Sequence, residues 1–186
     1  MVLPEHIKDV YQKAKCLYTH AQIEQALDEM ASCIHNTLAE ENPLVLCVLI
    51  GGLIPLGNLL HRLDFPLELD YVHVTRYTGE IRGSELQWKA KPERPIKGRT
   101  ILIVDDILDA GVTLQAIADY CHAEGAKSVY TAVLVDKRNA RFPEGLKQAD
   151  FTGLEVDNRY VFGYGMDYKE YLRNAPGIYE VASEHE

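Results

Sequence analysis

A chain of 186 residues with 47% hydrophobic composition has room for one domain around a sizeable core. Its net charge of −9 at pH 7 works against nucleic-acid backbones and anionic membranes as partners, because like charges repel; a small anionic ligand feels only its local site. Four cysteines without close pairing, and no secretory leader before them, fit reduced thiols and a cytoplasmic location rather than a disulfide framework.

The first forty residues read as helix, with Ile23, Ala26, Leu27, Met30, Ile34 and Leu38 recurring at three- and four-residue steps and Glu24, Asp28 and Glu29 off that stripe. The aliphatic run PLVLCVLI, 43–50, has the length of a buried strand, and Gly51-Gly52 stops it before a helix, IPLGNLLHRL. Glycines and prolines break the apolar stretch 43–60, which rules out a transmembrane helix there. Alternation in LELDYVHVTRY, 67–77, predicts a strand with one wetter face. Polar residues 78–98, with prolines at 92 and 95, read as a long mobile excursion pinned by a hairpin near Trp88. A strand at 100–105, a helix at 112–124 closed by Gly125, and a strand at 127–135 follow. The tail, 149–186, reads as a small cap rather than a further sheet layer, and the seven histidines as mostly surface groups.

Strand-helix-strand alternation with continuous apolar strands implies an α/β fold, a mostly parallel central sheet with helices on both faces. Such sheets bind ligands at the carboxyl ends of their strands. That places Gly51-Gly52, the stretch DDILDAGVT from Asp105, and Asp136-Lys137-Arg138 along one edge.

In Asp109-Ala110-Gly111-Val112-Thr113 a short glycine-containing loop enters a helix. Its free amide N–H groups, the helix dipole and the Thr113 hydroxyl suit a phosphate monoester, although a plain left-handed turn with an N-cap threonine gives the same pattern. Asp105 and Asp106 are adjacent in a strand and point to opposite faces, so they cannot chelate one ion in the same way. One can reach ligand hydroxyls or a hydrated Mg²⁺ while the scaffold holds the other. The DDxxD string also occurs in prenyl-diphosphate synthases, but there it sits on a long helix in an all-helical fold, and here the flanks are strand and turn.

Taken together, strand, paired acids, Asp109 and turn resemble the 5-phosphoribosyl 1-diphosphate (PRPP) signature of type I phosphoribosyltransferases, and more of the chain resembles the hypoxanthine-guanine members from about residue 10 to 180. VLIGG, 48–52, is similar to their pyrophosphate loop; VTRYTGEIRG, 74–83, to their lid; VLVDKRNAR, 133–141, to the segment carrying a purine-reading lysine; RYVFGYGMDYKEYLRN, 159–174, to their purine hood. The resemblance implies one domain over residues 1–186, with a hood built from about 149–186 and N-terminal residues. It implies Asp109 as general base, with Asp105, Asp106, Asp109, Ala110, Gly111, Val112 and Thr113 on PRPP. It further implies Leu49, Ile50, Gly51 and Arg173 on the pyrophosphate, Arg76 and Tyr77 in the lid, and Lys137, Tyr160, Val161 and Asp167 around the purine. Mg²⁺ would be held by Asp105, Asp106 and Asp167.

Two positions depart from the family pattern. Ile50 stands where many relatives carry lysine, and Arg76 where the lid often has serine; Arg76 either restores charge near the pyrophosphate or is a solvated lid residue. The expected activity is Mg²⁺-dependent purine salvage from PRPP and 6-oxopurine bases by a homodimer or homotetramer. The competing expectation is a PRPP- or nucleotide-sensing regulator of the same fold, which a pI of 5.3 and the lack of an added basic domain disfavour.

Overall fold

In the computed structural model, which describes residues 4–76 and 86–186, the chain opens with α1 (Pro4–Lys13), β1 (Lys15–Tyr18) and α2 (His20–Leu38). Next come β2 (Leu44–Leu49), α3 (Leu53–Leu60), β3 (Glu68–Arg76), β4 (Leu86–Ala90), β5 (Thr100–Leu108) and α4 (Val112–Ala123). The rest is β6 (Ser128–Lys137), β7 (Phe151–Val156), β8 (Val161–Phe162), β9 (Ile178–Glu180) and a 3-10 turn, Ser183–His185.

Six strands form the main sheet in the order β4-β3-β2-β5-β6-β7, parallel except for β4, which runs antiparallel to β3. Period-two alternation in the strands decides which side chain goes to which face. Val45, Cys47, Leu102 and Val104 join the cluster under α2 and α3, where Ile23, Leu27, Met30 and Ile34 arrive at helical spacing. Leu44, Leu46, Ile101 and Ile103 join the opposite cluster with Leu114, Ile117 and Cys121 of α4. A fully buried leucine or isoleucine of this kind contributes roughly 1.5–3 kcal/mol, so two-sided burial makes the centre of the sheet the rigid platform for its carboxyl edge.

Gln22 accepts a hydrogen bond from the Thr19 amide at 2.9 Å and fixes the start of α2. Gly125, with φ +84°, ends α4 as expected. The hairpin expected near Trp88 is the β3–β4 pair. Other expectations need correction. Strand β1 interrupts what reads as continuous helix, because its partner β9 comes from the far end of the chain. The tail is not all cap, since β7 completes the main sheet beside β6. Strand β5 runs on to Leu108, so the paired acids lie inside a strand rather than at its tip. The histidines are mostly exposed, as expected, with His185 an exception: its side chain is 10% exposed, 3.2 Å from Asp9.

A second, three-stranded antiparallel sheet in the order β1-β9-β8 carries its own apolar cluster of Ile7, Val10, Phe162, Tyr168, Ala175 and Val181. Tyr164 ties this hood segment to α2, its hydroxyl donating to Glu24 at 2.7 Å.

Candidate active site

A cleft of about 390 Å³ opens at the carboxyl edge of the main sheet. It gathers Leu49, Ile50 and Gly51 after β2, Asp105 and Asp106 in β5, Asp109, Ala110, Gly111 and Thr113 at the start of α4, and Asp167 and Arg173 from the hood segment. Eleven residues anticipated from four separate segments therefore share one cavity.

Both acids of the pair are buried, at 9% and 8% exposure. The Asp106 amide donates to Asp105 Oδ1 at 2.9 Å, so the Asp105 carboxylate turns back on its own backbone. Burial pushes Asp105 well above the ordinary carboxylate range, and the neighbouring Asp106 charge adds to it. Burial also raises Asp106, against the pull of its hydrogen bond with Asp105 and of the Arg173 guanidinium. A floor of buried acids whose charged forms are disfavoured is what a bound cation or hydroxyl-rich ligand would relieve.

Arg173 is the hub of the hood side. It reaches Asp167 Oδ1 at 2.8 Å and Asp106 Oδ2 at 4.0 Å, and donates to the Gly165 carbonyl at 2.7 Å. A Cβ at Gly51 would collide with the Asp106 carboxylate, so one of the two must shift to admit a larger residue. Ile50 is 49% exposed at the cleft mouth.

The turn into α4 has Gly111 as N-cap in the left-handed region, φ +80°. Thr113 is therefore the second helical residue and not the cap. The first-turn amides of Val112 and Thr113 have no acceptor within the helix and face the dipole's positive end; the Val112 side chain stays out of the cleft lining. The carbonyls of Ala110 and Gly111 accept from Phe142 and Leu146, each at 3.0 Å, so the loop after β6 braces the turn from behind. Arg141 is a member of this device that sequence reasoning missed. Its guanidinium donates to the carbonyls of Leu108 at 2.8 Å, Asp109 at 2.6 Å and Lys137 at 2.9 Å, and pairs with Asp136. No local pattern marks it, because its partners come from two strand ends.

Lys137 lies beside the cleft with its side chain 12% exposed, its ammonium 3.1 Å from Asp109 Oδ2. Tyr160 and Val161 stand apart in the hood. The Tyr160 ring packs on Tyr168 at 5.5 Å between centroids, its hydroxyl accepts from the Lys169 amide at 3.3 Å, and burial raises its pKa. The Val161 side chain is buried in the core, leaving only its main chain for a ligand. Arg76 ends β3, and Tyr77 with the rest of the expected lid, to residue 83, lies outside the described residues. His73 and Lys89 line the cleft without having been anticipated, and Thr75 lines it from the expected lid segment; all three come from the β3–β4 hairpin.

The family model of the phosphoribosyl transferase domain matches residues 13–169. The hypoxanthine-guanine phosphoribosyltransferase of Streptococcus pneumoniae is 34% identical over 165 residues, covering 88% of this chain and 91% of the relative. A hypoxanthine phosphoribosyltransferase from Staphylococcus aureus superposes with a TM-score of 0.85 at 27% identity, covering 91% of this chain and 92% of the other. A point mutant of the Trypanosoma cruzi hypoxanthine phosphoribosyltransferase, solved with the product IMP, gives a TM-score of 0.85 at 25% identity over 94% of each chain.

Proposed function

The chain belongs to the phosphoribosyl transferase family, and from that membership we propose that it salvages purines, transferring the 5-phosphoribosyl group of PRPP to N9 of hypoxanthine or guanine to give IMP or GMP and pyrophosphate. The observation that carries this reading is the convergence of a buried acid pair, a phosphate-type turn and the Asp109–Lys137 pair around one cleft.

In this reading the turn from Asp109 to Thr113 holds the 5′-phosphate through amides and the Thr113 hydroxyl. The Asp105–Asp106 floor accepts from ribose hydroxyls, and the Leu49-Ile50-Gly51 loop with Arg173 meets the pyrophosphate. Asp109 takes the N7 proton of the purine and Lys137 donates to O6. Tyr160 stacks on the base, while the Val161 main chain meets its Watson–Crick edge. The bond from ribose C1 to pyrophosphate breaks through an oxocarbenium-like state, so no protein nucleophile is needed. Consistent with that, burial pushes the Cys47 thiol beside the acid pair up to about 11.

In this reading Asp105, Asp106 and Asp167 are the carboxylates that would hold a hard divalent cation: all three line the cleft and burial disfavours two of them as bare charges, while in this structure their oxygens do not gather on one point. Mg²⁺ held there would neutralise the leaving diphosphate. The assembly in this reading is a homodimer or homotetramer, supported by the exposed apolar side chains of Leu53, Leu69 and Tyr71. Four unpaired thiols support a cytoplasmic location.

The test is nucleotide formation from PRPP with hypoxanthine, guanine or adenine, with Mg²⁺ and with excess chelator. IMP and GMP should form only with Mg²⁺, and adenine should be the poor substrate. Absence of any nucleotide product would refute the transfer, and full turnover in chelator would refute the cation.

A further inference from the structure

Residue 89 interrupts the β3–β4 hairpin. His73 pairs with Ala90 and Val74 with Trp88, so Lys89 is the extra residue of a β-bulge. A bulge breaks the alternation of side chains and re-aims one of them. Trp88 is anchored away from the site, its ring 4.8 Å from that of Tyr120 on α4. Lys89 lines the cleft.

The charges of the cleft give that lysine a task. Five carboxylates line it, those of Asp105, Asp106, Asp109, Asp167 and Glu170. Arg173 is engaged by Asp167 at 2.8 Å, and Lys137 by Asp109 at 3.1 Å. Among the described residues Lys89 is the cleft-lining cation without a carboxylate partner. The loop after β2 offers no cation of its own, since Ile50 occupies its exposed corner.

Strand order says which part of a ligand Lys89 meets. Leu49 is in register with His73, and His73 with Ala90. Lys89 therefore stands two strands, roughly 10 Å at the usual interstrand spacing, from the Ile50 loop. The phosphate-type turn follows β5, on the other side of β2. We propose that Lys89 binds the diphosphate of PRPP and supplies there the positive charge that the Ile50 loop lacks.

This rests on the phosphoribosyl-transfer reading, and the experiment separates the two. Lys89→Gln should raise the KM for PRPP about 10- to 100-fold, the usual worth of a charge-assisted hydrogen bond. Inhibition by inorganic pyrophosphate should weaken by a similar factor. Binding of IMP, which has the 5′-phosphate but no diphosphate, should be unchanged. Lys89→Arg should keep most of the affinity, and Ile50→Lys added to Lys89→Gln should lower the PRPP KM again. Unchanged PRPP and pyrophosphate constants in Lys89→Gln would overturn the proposal, and so would an equal loss of IMP affinity, which would put Lys89 on the 5′-phosphate. If the wild type makes no nucleotide, the functional reading fails; calorimetric titration of wild type and Lys89→Gln with magnesium pyrophosphate still decides the lysine.

Discussion

The Lys137 ammonium stands 3.1 Å from Asp109 Oδ2. A 6-oxopurine presents O6 and N7 side by side on one edge, and this donor and this carboxylate, held that close, can face the edge together. Adenine puts an amino donor where O6 would be, leaving a lysine with no acceptor. Lys137→Met should therefore narrow the preference for hypoxanthine over adenine by at least about 100-fold, read from competition assays. An unaltered preference would make Lys137 a plain partner of Asp109.

Asp109→Asn keeps the size of the side chain but removes the carboxylate proposed as the base. We expect kcat to fall roughly 10²- to 10⁴-fold with little change in the KM for PRPP. Loss of PRPP affinity at constant kcat would instead assign Asp109 to shaping the turn.

Gly51→Ala places a methyl group against the Asp106 carboxylate, which is buried and cannot swing into water. Overpacking of this kind costs about 1–3 kcal/mol. The variant should fold, with a lower Tm and a PRPP KM raised about 10-fold or more. Thermal melts and steady-state kinetics at fixed Mg²⁺ give both numbers, and kinetics matching the wild type would show that the loop yields.

Arg141→Ala strips a donor from the carbonyls of Leu108, Asp109 and Lys137 at once. Its side chain is 15% exposed, so water replaces those bonds poorly. We expect a loss of about 3 kcal/mol in urea unfolding. At temperatures where the variant is folded, the KM values for PRPP and hypoxanthine should both rise, because Arg141 ties the phosphate turn to the strand carrying Lys137. A stability loss with unaltered KM values would confine Arg141 to the fold.

Glu24 accepts from the Tyr164 hydroxyl and from Arg62, each at 2.7 Å, and these bonds, Tyr164 first, hold its carboxyl below the ordinary value of 4.5. A depressed carboxyl pKa stabilises the fold above the unfolded value and loses that contribution as pH falls through the folded one. Glu24→Gln should cost about 1 kcal/mol near pH 7, a modest figure because the carboxylate is a third exposed. The gap to wild type should close as pH drops below 4.5. Denaturant titrations across that range measure it, and a gap independent of pH would locate the effect in packing.

What the sequence could tell depended on how local each signal is. The central strands and α4 were legible because apolar periodicity and Gly125 act within one element. The acid pair and the turn were legible for the same reason, being contiguous in the chain. Strands β1 and β7 were not, since each is stabilised by a partner far away in sequence, Lys15 by Glu180 and Phe151 by Ala132. Arg141 escaped because, Asp136 apart, its acceptors are the backbone carbonyls of Leu108, Asp109, Lys137 and Lys147, which carry no mark in a sequence. Lys89 escaped because a bulge inverts the alternation by which a strand residue is assigned to a face.

The hood sheet has β9 as its middle strand, with β1 on one side and β8 on the other. Neither flank can pair before β9 exists, yet β1 is among the first segments to be synthesised. On a ribosome, β1 and α1 must therefore wait unpaired while the whole main sheet, from β2 to β7, emerges and can close. A nascent chain arrested just short of Ile178 would carry the acid pair and the phosphate turn but no hood sheet. The hood sheet is thus completed only after the main sheet, and the acid pair and the Asp109–Lys137 pair are in place before Tyr160 and Val161 gain their sheet.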